Sequence, residues 1–238
     1  MMAAMLVACR VLAALLGVMF AAAVSAAPDT PVRQTQLLPV DEAARHPDFF
    51  SFRAGLLAAV ARRDAARLLA VVHPMIKNSF GGNDGVDEFR TMWGLDGNGP
   101  ASPGDRPGPD GTDGIWAELG TVLALGGSFS GDDTFTAPYT FSGWPNDVDG
   151  FEHVVLVAAN VRVRAAPGVA APALRSASFE ILRLARSKDS TEGWIAVDLG
   201  SGRTGYVVAA LARSPIDYRA IFSRAAGRWQ LVTFVAGD

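Results

Sequence analysis

Apolar positions change their spacing once along this chain, from a helical period in the first half to an alternating period in the second. Phe49, Phe52, Leu56, Leu57 and Val60 recur at helical intervals and form one stripe, with Asp48 placed to cap the helix and Arg62-Arg63 ending it. A single turn over Asp41–Ala44 precedes it. Asp64 is placed to cap a second helix running through Leu68, Leu69 and Val72 and stopped at His73-Pro74, because the residue before a proline avoids helical geometry. Met75 to Phe80 then reads as a strand, Gly81-Gly82 as a turn, and Gly85 to Trp93 as a third helix with Val86, Phe89 and Trp93 on one face. Asp84 and Asp87 have the spacing of a capping box. Ile115 to Leu125 is a fourth helix, with Trp116, Leu119, Val122 and Leu123 inward. Gly126 to Gly150 is loop-rich, with one extended piece over Thr134–Phe141.

From 151 onward the period is two. Phe151 to Ala158 is a continuous apolar run; 160–167 alternates until Pro167-Gly168; Phe179 to Ala185 is a further strand. In Trp194–Leu199 the residues Ile195, Val197 and Leu199 share one face, and Trp194, Ala196 and Asp198 the other. Gly200-Ser201-Gly202 follows as a tight turn, so the unit is a hairpin. Four or five such strands predict a small closed barrel, since closure removes exposed edges. A last hairpin, Tyr218–Ser223 with Arg228–Val235, turns about Ala226-Gly227. Ile221, Leu231, Val232, Phe234 and Val235 give it more apolar surface than a hairpin hides in itself. It is therefore expected to pair with the lone N-terminal strands, which would make the barrel an insertion within a discontinuous domain.

The motifs Asn160-Val161-Arg162 with Pro167, Gly193-Trp194 with Val197, and Gly202-Arg203-Thr204-Gly205-Tyr206-Val207 resemble the bacterial SH3-like (SH3b) family. The resemblance spans 159–212, about a quarter of the chain. It implies a recognition module of the cell envelope, next to a second domain, and implies no activity of its own. Segment 40–93 resembles the opening of NTF2-like folds, although the Gly- and Pro-broken middle lacks their long curved sheet. The expected class is α+β: a mostly helical N-terminal domain with a few strands (27–150), an SH3-like β-barrel (151–213), and a C-terminal hairpin docked on the N-terminal domain (214–238).

Residues 1–26 read as a secretory signal: Arg10 is the only charge, Val11–Ala23 is apolar, and Val24-Ser25-Ala26 ends in small residues. Leu6-Val7-Ala8-Cys9 resembles an acylation box, but the apolar run follows Cys9 instead of preceding it. Cleavage after Ala26 removes the only cysteine, and with it any thiol chemistry. The expected product is periplasmic or secreted, with no stable membrane insertion after cleavage. It carries 20 basic residues (21 less Arg10) against 24 acidic, a net of −4, which offers nucleic acid no footing. Residues 94–114 are Gly, Pro, Asp and Asn with almost nothing apolar, and read as a mobile insertion. Asp96-Gly97-Asn98-Gly99 begins like a calcium loop, but Pro100 stands at the third ligand position and no Glu closes the loop.

Candidate chemistry is sparse. His46, His73 and His153 are scattered, with no metal-binding spacing, His73 reading as a helix-end residue and Glu152-His153 as a surface pair. No cofactor is expected. Gly126–Gly131 misplaces the second glycine of a nucleophile elbow by one residue and reads as a loop. The carboxylates Asp84, Asp87, Glu88, Asp132, Asp133, Asp147 and Asp149 fall in turns or helix starts, where Asp serves local backbone bonding. Trp194 and Tyr206, at the family's motif positions on adjacent strands, with Arg162 and Arg164, are the candidate ligand-binding residues. Trp194 has a competing role as packing of the barrel wall or of the N-terminal domain. The leading expectation is non-enzymatic recognition of a cell-wall peptide or envelope protein. The alternatives are a carboxylate-dependent cell-wall hydrolase with its site in 40–150, and a scaffold barrel with no ligand.

Overall fold

Helix α1 (Pro47–Ala61) starts on a proline, whose missing N–H falls where a helix has no partner to offer. His46, extended, precedes it. Asp48 is therefore not the cap. It lies inside the first turn, and its carboxylate reaches the far end of the chain. The computed structural model describes residues 36–95, 114–185 and 191–237; the signal segment, the Asp96–Gly99 loop and nearly all of the 94–114 insertion lie outside them. Before α1, a 3₁₀ turn covers Ala43–Arg45, with Asp41 accepting the N–H of Ala43.

Helix α2 (Ala65–Leu69) is capped by Asp64, which accepts the Arg67 N–H at 2.9 Å. It ends earlier than the His73-Pro74 stop suggests, because strand β1 (Val72–Lys77) begins at Val72 and contains both residues. The proline is tolerated because β1 lies at the edge of its sheet, with a ladder on one side only. Residues 78–80 lie beyond it. Helix α3 (Val86–Met92) sends Phe89 and the following Trp93 into the core. Asp84 and Asp87 form no capping box: Asp84 accepts the N–H of Asn78 at 3.0 Å, and Asp87 pairs with Arg90 at 3.3 Å. Helix α4 (Gly114–Ala124) buries Ile115, Leu119, Val122 and Leu123, with Trp116 half-buried.

The stretch after α4 is more ordered than its glycines and prolines suggest. Strands β2 (Ser128–Phe129) and β3 (Thr134–Ala137) pair, the bond into Pro138 is cis, and a short helix α5 (Tyr139–Ser142) follows. The extended piece thus stops at Ala137 instead of reaching Phe141. Cross-strand packing, not local composition, holds it: a Cβ on Gly127 would stand 2.1 Å from the Thr136 carbonyl oxygen.

Strands β4 (His153–Leu156), β5 (Val161–Arg164), β6 (Ala173–Ala177), β7 (Ile181–Arg183), β8 (Trp194–Asp198), β9 (Thr204–Val208) and β10 (Ala212–Arg213) come next. They form two open sheets, ordered β10-β4-β7 and β6-β5-β9-β8. Among the described residues no sheet is closed, so the closed barrel is corrected. Closure would need a continuous ladder between β7 and β8, and among the described residues there is one bridge, Leu184 to Val197, with the Ala185 N–H donating to the Ala196 carbonyl. Both sheets nevertheless bury one core, Val154, Leu156 and Leu182 from one and Val161, Val163, Ala177, Val197 and Val207 from the other. Gly205 makes room there: a Cβ on it would lie 2.6 Å from Val163 Cγ1.

Strands β11 (Arg219–Ala225) and β12 (Arg228–Val235) form the final hairpin, turning at Ala226 and Gly227 with φ of 50° and 73°. β12 pairs in parallel with β1 and β11 antiparallel with β3, giving the order β1-β12-β11-β3-β2. The last two strands are the centre of a sheet whose flanks come from residues 72–137. The region expected to be mostly helical thus contributes β1, β2 and β3. Against this sheet, Phe49 sits with its ring 4.3 Å from Phe135 and 4.8 Å from Trp229. The fold is mixed α+β, and residues 33–238 group as one compact unit. Among the described residues no helix is long and apolar enough to cross a membrane.

Candidate functional site

Alternation fixes what each strand of the β6-β5-β9-β8 sheet offers to either side. Val161 and Val163 of β5, Gly205 and Val207 of β9, and Val197 of β8 are buried. The intervening positions, Arg162 and Arg164, Thr204, Tyr206 and Val208, and Trp194, Ala196 and Asp198, therefore share the opposite face. All four sequence-predicted residues lie on it.

The register places them in rows. Arg164 is opposite Tyr206, and Tyr206 opposite Ala196. Trp194 is opposite Val208, so its ring stands diagonal to Tyr206 in the next row. Arg162, two residues before Arg164 on the same strand face, extends the row of Val208 and Trp194. Trp194 and Tyr206 are half-buried, and Arg162 is exposed. Trp194 belongs to neither buried core.

The hairpin that sets this register is locally determined. Gly200, Ser201 and Gly202 all have positive φ (79°, 51° and 71°), and Asp198 Oδ1 accepts the Gly200 N–H at 2.8 Å. Arg164 is steadied by donating Nη1 to the Ala171 carbonyl at 2.6 Å. Among the described residues the Arg162 guanidinium has no hydrogen-bond or ion-pair partner. Val208, not singled out in the sequence, belongs to the same face as Ala196; the parity of β9 was the signal available for it.

The other candidates are not brought together. His46 stands just before α1 without a side-chain bond to it, its ring 4.4 Å from Phe129 and Nε2 3.7 Å from Asp132. His73 lies in β1 and not at a helix end, with Nδ1 3.1 Å from the Met75 N–H. His153 Nδ1 lies 2.8 Å from the Asp149 carbonyl, while Glu152 pairs with Arg183. Asp133 is held by Arg224 Nε at 2.7 Å, and Asp149 accepts the Phe151 N–H. Among the described residues no group of three or more His, Cys, Asp or Glu could hold a metal ion. Ser128 is in β2, and the Ser130 N–H bonds the Thr134 carbonyl within the β2–β3 hairpin.

No family model, no curated protein and no solved structure matches the chain. Function is therefore read from this face alone. Two half-buried aromatics beside a guanidinium without a partner make a surface suited to an extended ligand: rings give apolar contact at low entropic cost, and arginine gives directional pairing.

Proposed function

We propose that this chain is an exported, non-enzymatic recognition protein whose SH3-like module, at 159–212, binds a cell-wall peptide or an envelope protein. One observation carries the reading. Trp194, Tyr206, Arg162 and Arg164 occupy adjacent rows on one face of a four-stranded sheet, on the side away from its core. A scaffold with no ligand has no need of a large ring there, since the core is filled by valines and leucines from the other face.

Incubation with purified peptidoglycan, followed by centrifugation, tests this. Recognition predicts that the protein pellets and releases no soluble fragments; release of fragments supports a wall hydrolase instead. Trp194→Ala should leave the melting temperature within a few degrees of the parent, because Trp194 lies outside both cores, and should abolish pelleting. A variant that is stable and still pellets fully would remove the face from the account.

A further inference from the structure

The recognition face carries two arginines, Arg162 and Arg164, and one carboxylate, Asp198, which is engaged by the Gly200 N–H. Arg45, Arg53, Arg90, Arg175, Arg183, Arg213 and Arg224 each have a carboxylate partner. Arg162 and Arg164 have none among the described residues, as is also true of Arg62, Arg67, Arg203 and Arg228; what sets the two apart is that they share a sheet face with Trp194 and Tyr206. Their cross-strand neighbours are not acidic: Arg162 is opposite Ser176, and Arg164 lies between Ala173 and Tyr206. Two arginines two residues apart thus share one face of β5, the Arg164 guanidinium resting on the Ala171 carbonyl, at the end of a strip whose other end is Trp194.

From this we infer that the face selects an extended segment carrying an acidic side chain on one side of a bulky apolar one. The inference rests on the recognition reading above and adds the chemistry of the ligand. From β8 to β5 is two strand spacings, roughly 10 Å. A chain in the polyproline II conformation presents residues i and i+3 on one side, about 9 Å apart. An apolar residue against Trp194, Val208 and Tyr206 therefore places a carboxylate three positions along at Arg162 and Arg164. Ser176 and Ala173 beyond the arginines are small, so the segment runs on past them. The acid is a side chain within the segment and not its terminus.

Calorimetry on the full chain with acetyl-Phe-Ala-Ala-Glu-amide, and with its Gln and Lys counterparts, tests the inference. The Glu peptide should bind about tenfold or more tighter than the Gln peptide, the scale of a charge-assisted hydrogen bond, and the Lys peptide more weakly still. The preference should fade as salt is raised and vanish in the Arg162→Gln, Arg164→Gln double variant, which should still melt cooperatively, lowered only by loss of the Arg164 bond to the Ala171 carbonyl. Acetyl-Phe-Glu-amide should lose the advantage, since it cannot span the strip. Equal binding of Glu and Gln peptides, abolished by Trp194→Ala, would overturn the acidic inference and leave the recognition reading standing. Tight Glu-peptide binding untouched by Trp194→Ala and by the double variant would overturn both. Failure of all the peptides to bind overturns the acidic inference, and the peptidoglycan pelleting then decides the recognition reading by itself.

Discussion

The indole Nε1–H of Trp229 donates to Asp48 Oδ2 at 2.9 Å, across 181 residues of chain. The same oxygen accepts from Arg224 Nη1 at 3.0 Å, and Arg224 also holds Asp133. The first turn of α1 is thereby tied to both strands of the C-terminal hairpin and to the turn before β3.

That tie has a pH signature. The hydrogen bond from Trp229, assisted by Arg224 and the Phe49 N–H, holds the Asp48 carboxyl below its ordinary range. A depressed folded pKa contributes stability that is present above the unfolded value, near 3.9, and is lost as pH falls through the folded one. Asp48→Asn should therefore lower the melting temperature at pH 6, and the gap from the parent should narrow as pH is taken down to 3. A gap that stays constant over that range would show that the carboxylate charge is irrelevant. Because Asp48 is half exposed, raising the salt concentration should shrink the gap as well.

A second prediction concerns Glu180, which accepts two bonds from Arg175, at 2.6 and 2.7 Å, while its carbonyl takes the Leu156 N–H. Arg175 is opposite Val163, on the core side of β6, so the pair closes the space between the two open sheets. Glu180→Ala leaves a guanidinium without its partner in a half-buried place. The expected cost is roughly 2–4 kcal/mol, below the range for a fully buried pair because Arg175 keeps some exposure. The Arg175→Met, Glu180→Met double variant should recover most of that loss in urea unfolding. Failure to recover would mean that geometry, not unpaired charge, is what the site needs.

Local periodicity made α1, α4, the β8–β9 hairpin and the β11–β12 hairpin legible, because each buries a stripe that repeats within one segment. The four candidate site residues came from the motifs of the family resemblance, and it is the register of β5, β9 and β8 that puts them on one face. What periodicity missed was decided by distant chain. Asp48 looks like a cap until Trp229 and Arg224 arrive. His73-Pro74 looks like a stop until β12 offers β1 an edge position. Strand β6 is invisible in Ala173–Ala177, since its inward side chains are an arginine neutralised by Glu180 and the small Ala177, and a bulge near Arg164 breaks its alternation. Closure of the barrel was a topological guess that strand pattern cannot decide, because one bridge and a full ladder look alike in sequence.

Gly205 gives a third test. It sits on the core side of β9, opposite Val197, where a Cβ would meet Val163 Cγ1 at 2.6 Å and Leu199 Cδ1 at 2.9 Å. Gly205→Ala should cost about 1–3 kcal/mol through overpacking. The paired change Gly205→Ala with Val163→Ala should recover part of it, since the obstructing methyl is removed. If Gly205→Ala melts with the parent, the two sheets are looser about their common core than these distances allow.

The last prediction follows from where the chain's end is placed. β11 and β12 are the middle of the five-stranded sheet, and they supply Ala220, Phe222, Trp229, Leu231 and Phe234 to its core. Removing 214–238 leaves β1 with no strand beside it and β3 with only the two-residue β2, while Phe49 loses two of its ring neighbours. The other core draws nothing from beyond Ala212. Truncation should therefore unfold one part and spare the other: amides of α1 and α4 should exchange freely, and those of Val163, Val197 and Val207 should stay protected. Residues 27–150 expressed alone should aggregate, for want of the same two strands, whereas 151–213 should fold and melt cooperatively. Each outcome is read directly, by hydrogen exchange on the truncated chain and by calorimetry on the two fragments. A soluble 27–150 fragment with a cooperative melt would show that its helices find a core without the hairpin, and the central place given to β11 and β12 would then be wrong.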